Sequence, residues 1–286
     1  MTEPYSAAEG LVRVYPASEA LSNGAGLVWA HGGGFAGGDL DMPEADGVAR
    51  TLAARGVTVV SVDYALAPTP PAWAAAFGGA PRDGVHYPAA SDDVMAAFRW
   101  AVSSGLTSGP WALGGASAGA NLATGATLRL LAAGGPAPAL VVLAYPTLLA
   151  VQPEPDAALR AALDADPEAD RFGPDAVLGM YENYLGGPVA GAPLPAIPGL
   201  ATPEALADFP PTLMINGDVD ELRVSGEVFA ATLAAAGRDI VAVTEPGTLH
   251  GHLNRPEEPA ATASLDRVVA RLTALSPTPT TEGPTP

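Results

Sequence analysis

The chain has 286 residues, no cysteine and a formal net charge of −18, and all of its basic residues are arginine. Without cysteine there are no disulfides, no thiolate zinc sites and no thiol catalysis. An acidic surface with scattered arginines argues against nucleic acid, whose phosphates need clustered cationic side chains, while the length is enough to bury one large α/β core.

The first ten residues, MTEPYSAAEG, have neither a basic leader nor an apolar core, so no secretory signal is read there. No stretch approaches the roughly 20 apolar residues of a membrane span, and a cytoplasmic protein is expected. Short apolar, β-branched runs then recur along the chain: LVRVY (11–15), GLVWA (26–30), VTVVSVD (57–63), PWALGG (110–115), ALVVLAYP (139–146), PTLMING (211–217) and DIVAVTE (239–245). Each reads as a strand. The first two are joined by a loop alone, which suits an antiparallel pair at a sheet edge.

Helical periodicity fills most of the gaps. ADGVARTLAARG (45–56) puts Val48, Leu52 and Ala53 on one face. SDDVMAAFRWAVSSG (91–105) opens on Ser91, a residue suited to N-capping, and carries the stripe Val94, Ala97, Phe98 and Ala101. SGEVFAATLAAAG (225–237) stops at Gly237, which fits a helix C-terminus, and ASLDRVVARLTAL (263–275) turns Leu265, Val268, Val269 and Leu272 inward. Strands alternating with helices imply a mostly parallel sheet covered on both faces. Two segments break the alternation. Residues 67–88 are loop-like and rich in Pro and Gly, and residues 148–200 follow a strand whose carboxyl end is where open α/β sheets bind ligands. The second reads as a cap over a pocket, with Phe172, Tyr181 and Tyr184 as candidates either for its lining or for the cap's own core. A single domain is expected over 1–275, with a disordered tail over 276–286.

The junction LGGASAGANL (113–122) places Ser117 in G-x-S-x-G between a strand and a helix. On its own the pentapeptide also fits a small-residue helix contact. At a strand-to-helix turn, however, it is the setting of an exposed nucleophile, with glycines where neighbouring backbone comes too close for side chains. HGGG (31–34) follows the strand GLVWA at once, and successive glycines can turn their N–H groups into a cavity. Gly33, Gly34 and Ala118 are thus the candidate oxyanion donors. A serine needs a base. Of the four histidines, His31 belongs to the glycine loop, where its ring is read as holding that loop, and His86 precedes a helix. His250 and His252 remain, with His250 favoured; no third ligand accompanies the pair, so no metal is expected. Asp218, Asp220 and Glu221 stand after the strand PTLMI. Asp220 is favoured as the carboxylate partner, since Asp218 suits a turn. The order Ser117, Asp220, His250 is that of the α/β-hydrolases.

These segments resemble the hormone-sensitive-lipase-like branch of α/β-hydrolase esterases, over most of the chain from about Leu11 to His252. HGGGFAGGDLD (31–41) resembles the oxyanion-loop motif, SVDYALAP (61–68) the D-Y-R-L-A-P segment, HYPAASDD (86–93) the F-P-A-A-x-x-D segment and GASAG the nucleophile motif. FPPTLMINGDVDELRVSGE (209–227) resembles the acid segment, PGTLHGH the histidine segment, and MYENYLGG (180–187) the end of the cap insertion. The resemblance implies a cap insertion after the strand ending near Tyr145, and cofactor-free hydrolysis of small esters with short to medium acyl chains. Other hydrolyses on the same fold (of amides, lactones or carbamates), or ligand binding without catalysis, are the alternatives. A homodimer is left open. There are departures from the family pattern. Ala116 stands where the family has Asp, and Ala65 and Thr69 stand for its usual Arg and Glu. About fifteen extra residues separate Pro68 from His86, and His252 replaces a Phe. No N-terminal cap helices are expected before Leu11, nor the family's early strand.

Overall fold

The computed structural model describes residues 3–18, 20–77 and 80–275; the tail expected at 276–286 lies outside them. In chain order the strands and helices are β1 (Tyr5–Ala7), β2 (Val12–Tyr15), β3 (Gly26–Ala30), α1 (Val48–Ala54), β4 (Thr58–Val62), α2 (Pro71–Phe77), α3 (Ala89–Ser103), β5 (Trp111–Ala116) and α4 (Ala118–Ala132). They continue with β6 (Val141–Ala144), α5 (Ala157–Ala165), α6 (Pro174–Leu185), β7 (Thr212–Val219), α7 (Arg223–Ala235), β8 (Ile240–Leu249) and α8 (Pro259–Thr273).

The strands form one eight-stranded sheet in the order β1-β2-β4-β3-β5-β6-β7-β8. Only the β1–β2 and β2–β4 pairings are antiparallel. This is the mostly parallel sheet that the alternating pattern implied, and the α/β-hydrolase fold that the resemblance implied. The uniform burial of β3, β4, β5 and β6 explains why those runs show little polar alternation: both of their faces are covered. Val28, Ala30, Val60, Val62 and Leu113 meet α3 and α4 on one face. Leu27, Trp29, Val59, Val142 and Leu213 meet α1 and α8 on the other.

Four expectations are corrected. The segment 11–15 does not pair with 26–30; β2 pairs with β4, because β3 is already flanked by β4 and β5. The early strand expected to be absent is present as β1, the outer edge beside β2. Ser91 lies inside α3, where its buried hydroxyl accepts from Arg129 Nη1 at 2.8 Å. The helix starts earlier because Pro88, which has no N–H to lose, takes the N-cap position. Residues 67–88 are also not all loop: α2 forms within them, and Thr69 pairs with Arg82 across its base.

Candidate active site

The site is assembled where the carboxyl ends of β3, β5, β6, β7 and β8 come together. At the end of β5 the chain turns through Ser117 with φ 53° and ψ −116°, a conformation that L-residues rarely adopt, and α4 begins at the next residue. The turn is held from below, because the Ser117 amide donates to the Ala144 carbonyl at 2.9 Å and its own carbonyl accepts from Ala120 at 3.0 Å. The flanking glycines are required by close approach. A Cβ on Gly119 would run into the Ala30 and His31 carbonyl oxygens, and one on Gly115 would strike the Gly119 backbone. The serine hydroxyl makes no capping bond to the helix. It faces His250 Nε2 at 3.0 Å.

His250 follows β8 directly. Its Nδ1 lies 2.8 Å from Asp220 Oδ2, and Asp220 Oδ1 accepts the Leu222 amide at 3.0 Å. An ionised carboxylate can only accept, so Nδ1 carries the ring hydrogen and Nε2 presents its lone pair to the serine. Asp220 has no exposed surface, which keeps water from competing for the imidazole. A bulge aligns the two residues. Gly217 pairs with Glu245 but Val219 pairs with Leu249, so β8 takes two more residues than β7 across this step. The next residue on each strand is Asp220 and His250. In the unbulged register Asp220 would have faced Thr248.

The glycine loop leaves β3 and passes against the serine: a Cβ on Gly32 would sit 3.1 Å from Ser117 Cβ. Gly33 (φ 116°) and Gly34 (φ 60°) take backbone conformations that side chains disfavour. No described residue accepts a hydrogen bond from either amide, and Ala118, first in α4, has no intrahelical acceptor. His31 does not face the serine. Its Nδ1 is 2.7 Å from the Gly32 carbonyl and its ring stacks on Tyr64 at 4.4 Å. Burial lowers its pKa below the ordinary imidazole value, so a neutral ring holds the loop. Below the loop, the Ala36 carbonyl accepts from Thr69 Oγ1 at 3.0 Å and Arg82 Nη2 at 2.6 Å.

The remaining candidates separate cleanly. His252 points away from the serine into a buried pocket, 2.8 Å from Ser264 Oγ. Asp218 accepts from the Gly247 amide at 2.9 Å and pairs with Arg223. Glu221 is buried behind Asp220 and is not bonded to the imidazole. From the segment after β6, Phe172 reaches edge-on to His250 at 4.5 Å between ring centres. Tyr181 and Tyr184 are buried against Phe35 instead, at 5.4 and 4.0 Å, and serve as packing. Met180 lies close over Gly34. Among the described residues no cluster of three or more His, Asp or Glu is arranged to hold a metal, and no helix is long and apolar enough to cross a membrane.

Two participants carry no sequence signal. Tyr145 follows β6 with φ 35° and packs its ring edgewise against both His250 and His252, each at 5.1 Å. Glu44, in the acidic run DMPEAD, is only 2% exposed. It accepts from Gly32 N, Tyr145 Oη and Asn254 Nδ2.

A buried carboxylate, an imidazole and a hydroxyl in hydrogen-bonded series, beside a glycine loop at the carboxyl edge of this sheet, mark the class as that of the α/β-hydrolases. The family model described as alpha/beta hydrolase fold matches residues 27–254. The chain is 33% identical over 253 residues to the esterase LipI of Mycobacterium tuberculosis, covering 86% of this chain and 71% of LipI. It is 33% identical over 267 residues to the carboxylesterase NlhH of the same species, covering 91% and 77%. Among solved structures, DphMB1 superposes with a TM-score of 0.75 at 32% identity, over 96% of this chain and 84% of that one. The protein belongs to the carboxylesterase family of the α/β-hydrolases.

Proposed function

We propose that this protein hydrolyses carboxylic esters of short to medium acyl chain through an acyl-enzyme, with Ser117 as nucleophile, His250 as base and Asp220 as its carboxylate partner. The observation that carries the reading is the 3.0 Å approach of His250 Nε2 to Ser117 Oγ, with Asp220 2.8 Å behind the ring.

Ser117 Oγ adds to the ester carbonyl carbon as its proton moves to Nε2. The imidazolium formed is stabilised by Asp220. The carbonyl oxygen becomes an oxyanion that the Gly33, Gly34 and Ala118 amides receive, each well-placed donor contributing about 3 to 4 kcal/mol. The C–O bond to the alcohol then breaks, and the departing oxygen takes the proton from Nε2. Water repeats the sequence on the acyl-serine: its proton passes to Nε2, its oxygen adds to the carbonyl, and Oγ leaves with the proton returned.

The relatives' names, esterase and carboxylesterase, support an ester as substrate. The net charge of −18 favours neutral esters over anionic ones. Residues 148–200 are read as the cap of one domain spanning 1–275. From it Phe172 and Met180 stand over His250 and Gly34 and limit room for a long acyl chain.

The test is covalent labelling by an organophosphonate together with turnover of p-nitrophenyl esters from acetate to decanoate. Stoichiometric labelling lost in Ser117→Ala, with activity falling beyond medium chains, is expected. An unlabelled but folded protein would end the proposal.

A further inference from the structure

We propose that Glu44 is a positioning residue that fixes the glycine loop and the histidine loop relative to one another; this rests on the reading of Ser117, His250 and the loop amides given above. Three donors from three separate segments converge on its buried carboxylate. The Gly32 amide donates to Oε1 at 2.7 Å, and Tyr145 Oη and Asn254 Nδ2 donate to Oε2 at 2.7 and 2.9 Å. Gly32 adjoins Gly33, whose amide is assigned to the oxyanion. Tyr145 is the aromatic wall beside His250. Asn254 lies just beyond His250 on the same loop, and its Oδ1 accepts from the Glu44 amide at 3.2 Å.

The carboxylate is itself held. Its segment Pro43–Gly47 is a short π-helical turn, and Trp29 of β3 donates its indole N–H to the Glu44 carbonyl at 2.8 Å. Oε1 and Ser117 Cβ lie against the same spot, the place where a Gly32 side chain would stand. Gly32 is therefore fixed between them: its amide is tethered to Glu44 and its α-carbon faces the serine. The tether also selects the amides. Because the Gly32 N–H is committed to Glu44, the next two amides in the loop remain for a substrate oxygen.

Tyr145 has a second reason to need this partner. A non-glycine residue at φ 35° is strained, and its hydroxyl is held by the Glu44 carboxylate and by the Leu253 backbone. Glutamine has the same shape but presents one acceptor oxygen and one NH2, so it cannot accept from three donors. Losing an anchor lets the oxyanion donors and the imidazole drift relative to each other. A misplacement of about 1 Å in such a site costs on the order of 100-fold in turnover.

The experiment compares Glu44→Gln and Glu44→Asp with the unsubstituted full-length chain. The readouts are kcat and KM on p-nitrophenyl acetate, the thermal midpoint, and the rate of organophosphonate labelling. For E44Q a folded protein is expected, with KM within about 2-fold but kcat and labelling rate lowered together by about 10- to 100-fold. E44D should recover part of kcat, because it retains a carboxylate on a shorter arm. A folded E44Q with kcat within about 2-fold of the unsubstituted chain, or a loss in kcat that tracks only loss of folded protein, overturns the inference. If E44Q does not fold, Asn254→Ala and Tyr145→Phe each remove one arm. Lowered kcat at unchanged KM in either supports the inference, and unchanged kcat in both overturns it. If the unsubstituted chain neither turns over ester nor takes the label, it is the proposed function that fails, and this inference with it.

Discussion

Gly119 in the first turn of α4 and Ala30 at the end of β3 meet backbone to backbone: no β-carbon fits between the Gly119 α-carbon and the Ala30 carbonyl oxygen. The helix that follows Ser117 is thereby seated on the end of β3, which is also where the glycine loop departs. Gly119→Ala should push these two elements apart. Overpacking of this kind costs about 1 to 3 kcal/mol, and phosphonate labelling should slow as well. Gly179→Ala is the control, because a Cβ at that position in α6 meets nothing within 4 Å. There alanine is expected to be neutral or to stabilise by about 0.5 to 1 kcal/mol. Thermal melts of the two variants, side by side, check both outcomes.

Asp220→Asn keeps the shape of the acid and replaces an acceptor-only group by one that can donate to the ring. The imidazole then loses its reason to carry hydrogen on Nδ1. Turnover should drop by about 1,000- to 10,000-fold with little change in KM. Steady-state kinetics on a short ester reads this directly, and a loss of less than tenfold would remove Asp220 from the assigned role.

His252 gives the protein an acid-sensitive point away from the chemistry. Burial is the main reason that its pKa falls to about 4, with Arg255 and His250 adding to the effect. The groups around it are Ser264 on Nε2, Tyr145 against its ring, and Glu245 and Arg267 beyond Ser264. The unfolded chain takes up a proton near the ordinary value of about 6.5, whereas the folded chain resists until about pH 4. Stability from this residue is therefore complete above pH 6.5 and is lost as pH falls through that window, by roughly 3 kcal/mol in all. His252→Phe should flatten that part of a denaturation-versus-pH curve.

Phe172→Ala removes the edge-on contact with His250 and opens the side of the site that faces the segment after β6. The ratio of kcat/KM for a bulky acyl ester to that for acetate should rise by about tenfold, the scale set by a few apolar contacts in a pocket. A ratio unchanged within twofold would show that the acyl group does not lie under Phe172.

How much of this was readable in advance follows from the range of the interactions. Ser117 and the HGGG loop are legible because steric demands between near neighbours in the chain dictate glycine, and because strands and helices write their period locally. Position in the last loop narrows the base to His250 or His252, the resemblance of PGTLHGH to the family's histidine segment favours His250, and in the structure one faces Ser117 and the other Ser264. Glu44 could not be read. Its acceptor role depends on Tyr145 and Asn254, 101 and 210 residues away, and an acidic residue in an acidic run looks like solvated surface. The exchange of partners at the sheet edge was hidden for the same reason. The sequence of β2 is equally compatible with β3 or β4, and only closure of the whole sheet decides. The helix α2 was masked by the prolines around it, and β1, three half-exposed residues, has no pattern to show.

The bulge between β7 and β8 works as a ruler. Because side chains alternate along a strand, one residue gained or lost between Glu245 and His250 would swing the imidazole to the wrong side of the sheet. The turn that joins α7 to β8 carries no such constraint. Over the history of this lineage, insertions and deletions should therefore accumulate in that turn, while the short count from Glu245 to His250 stays fixed even as its letters change.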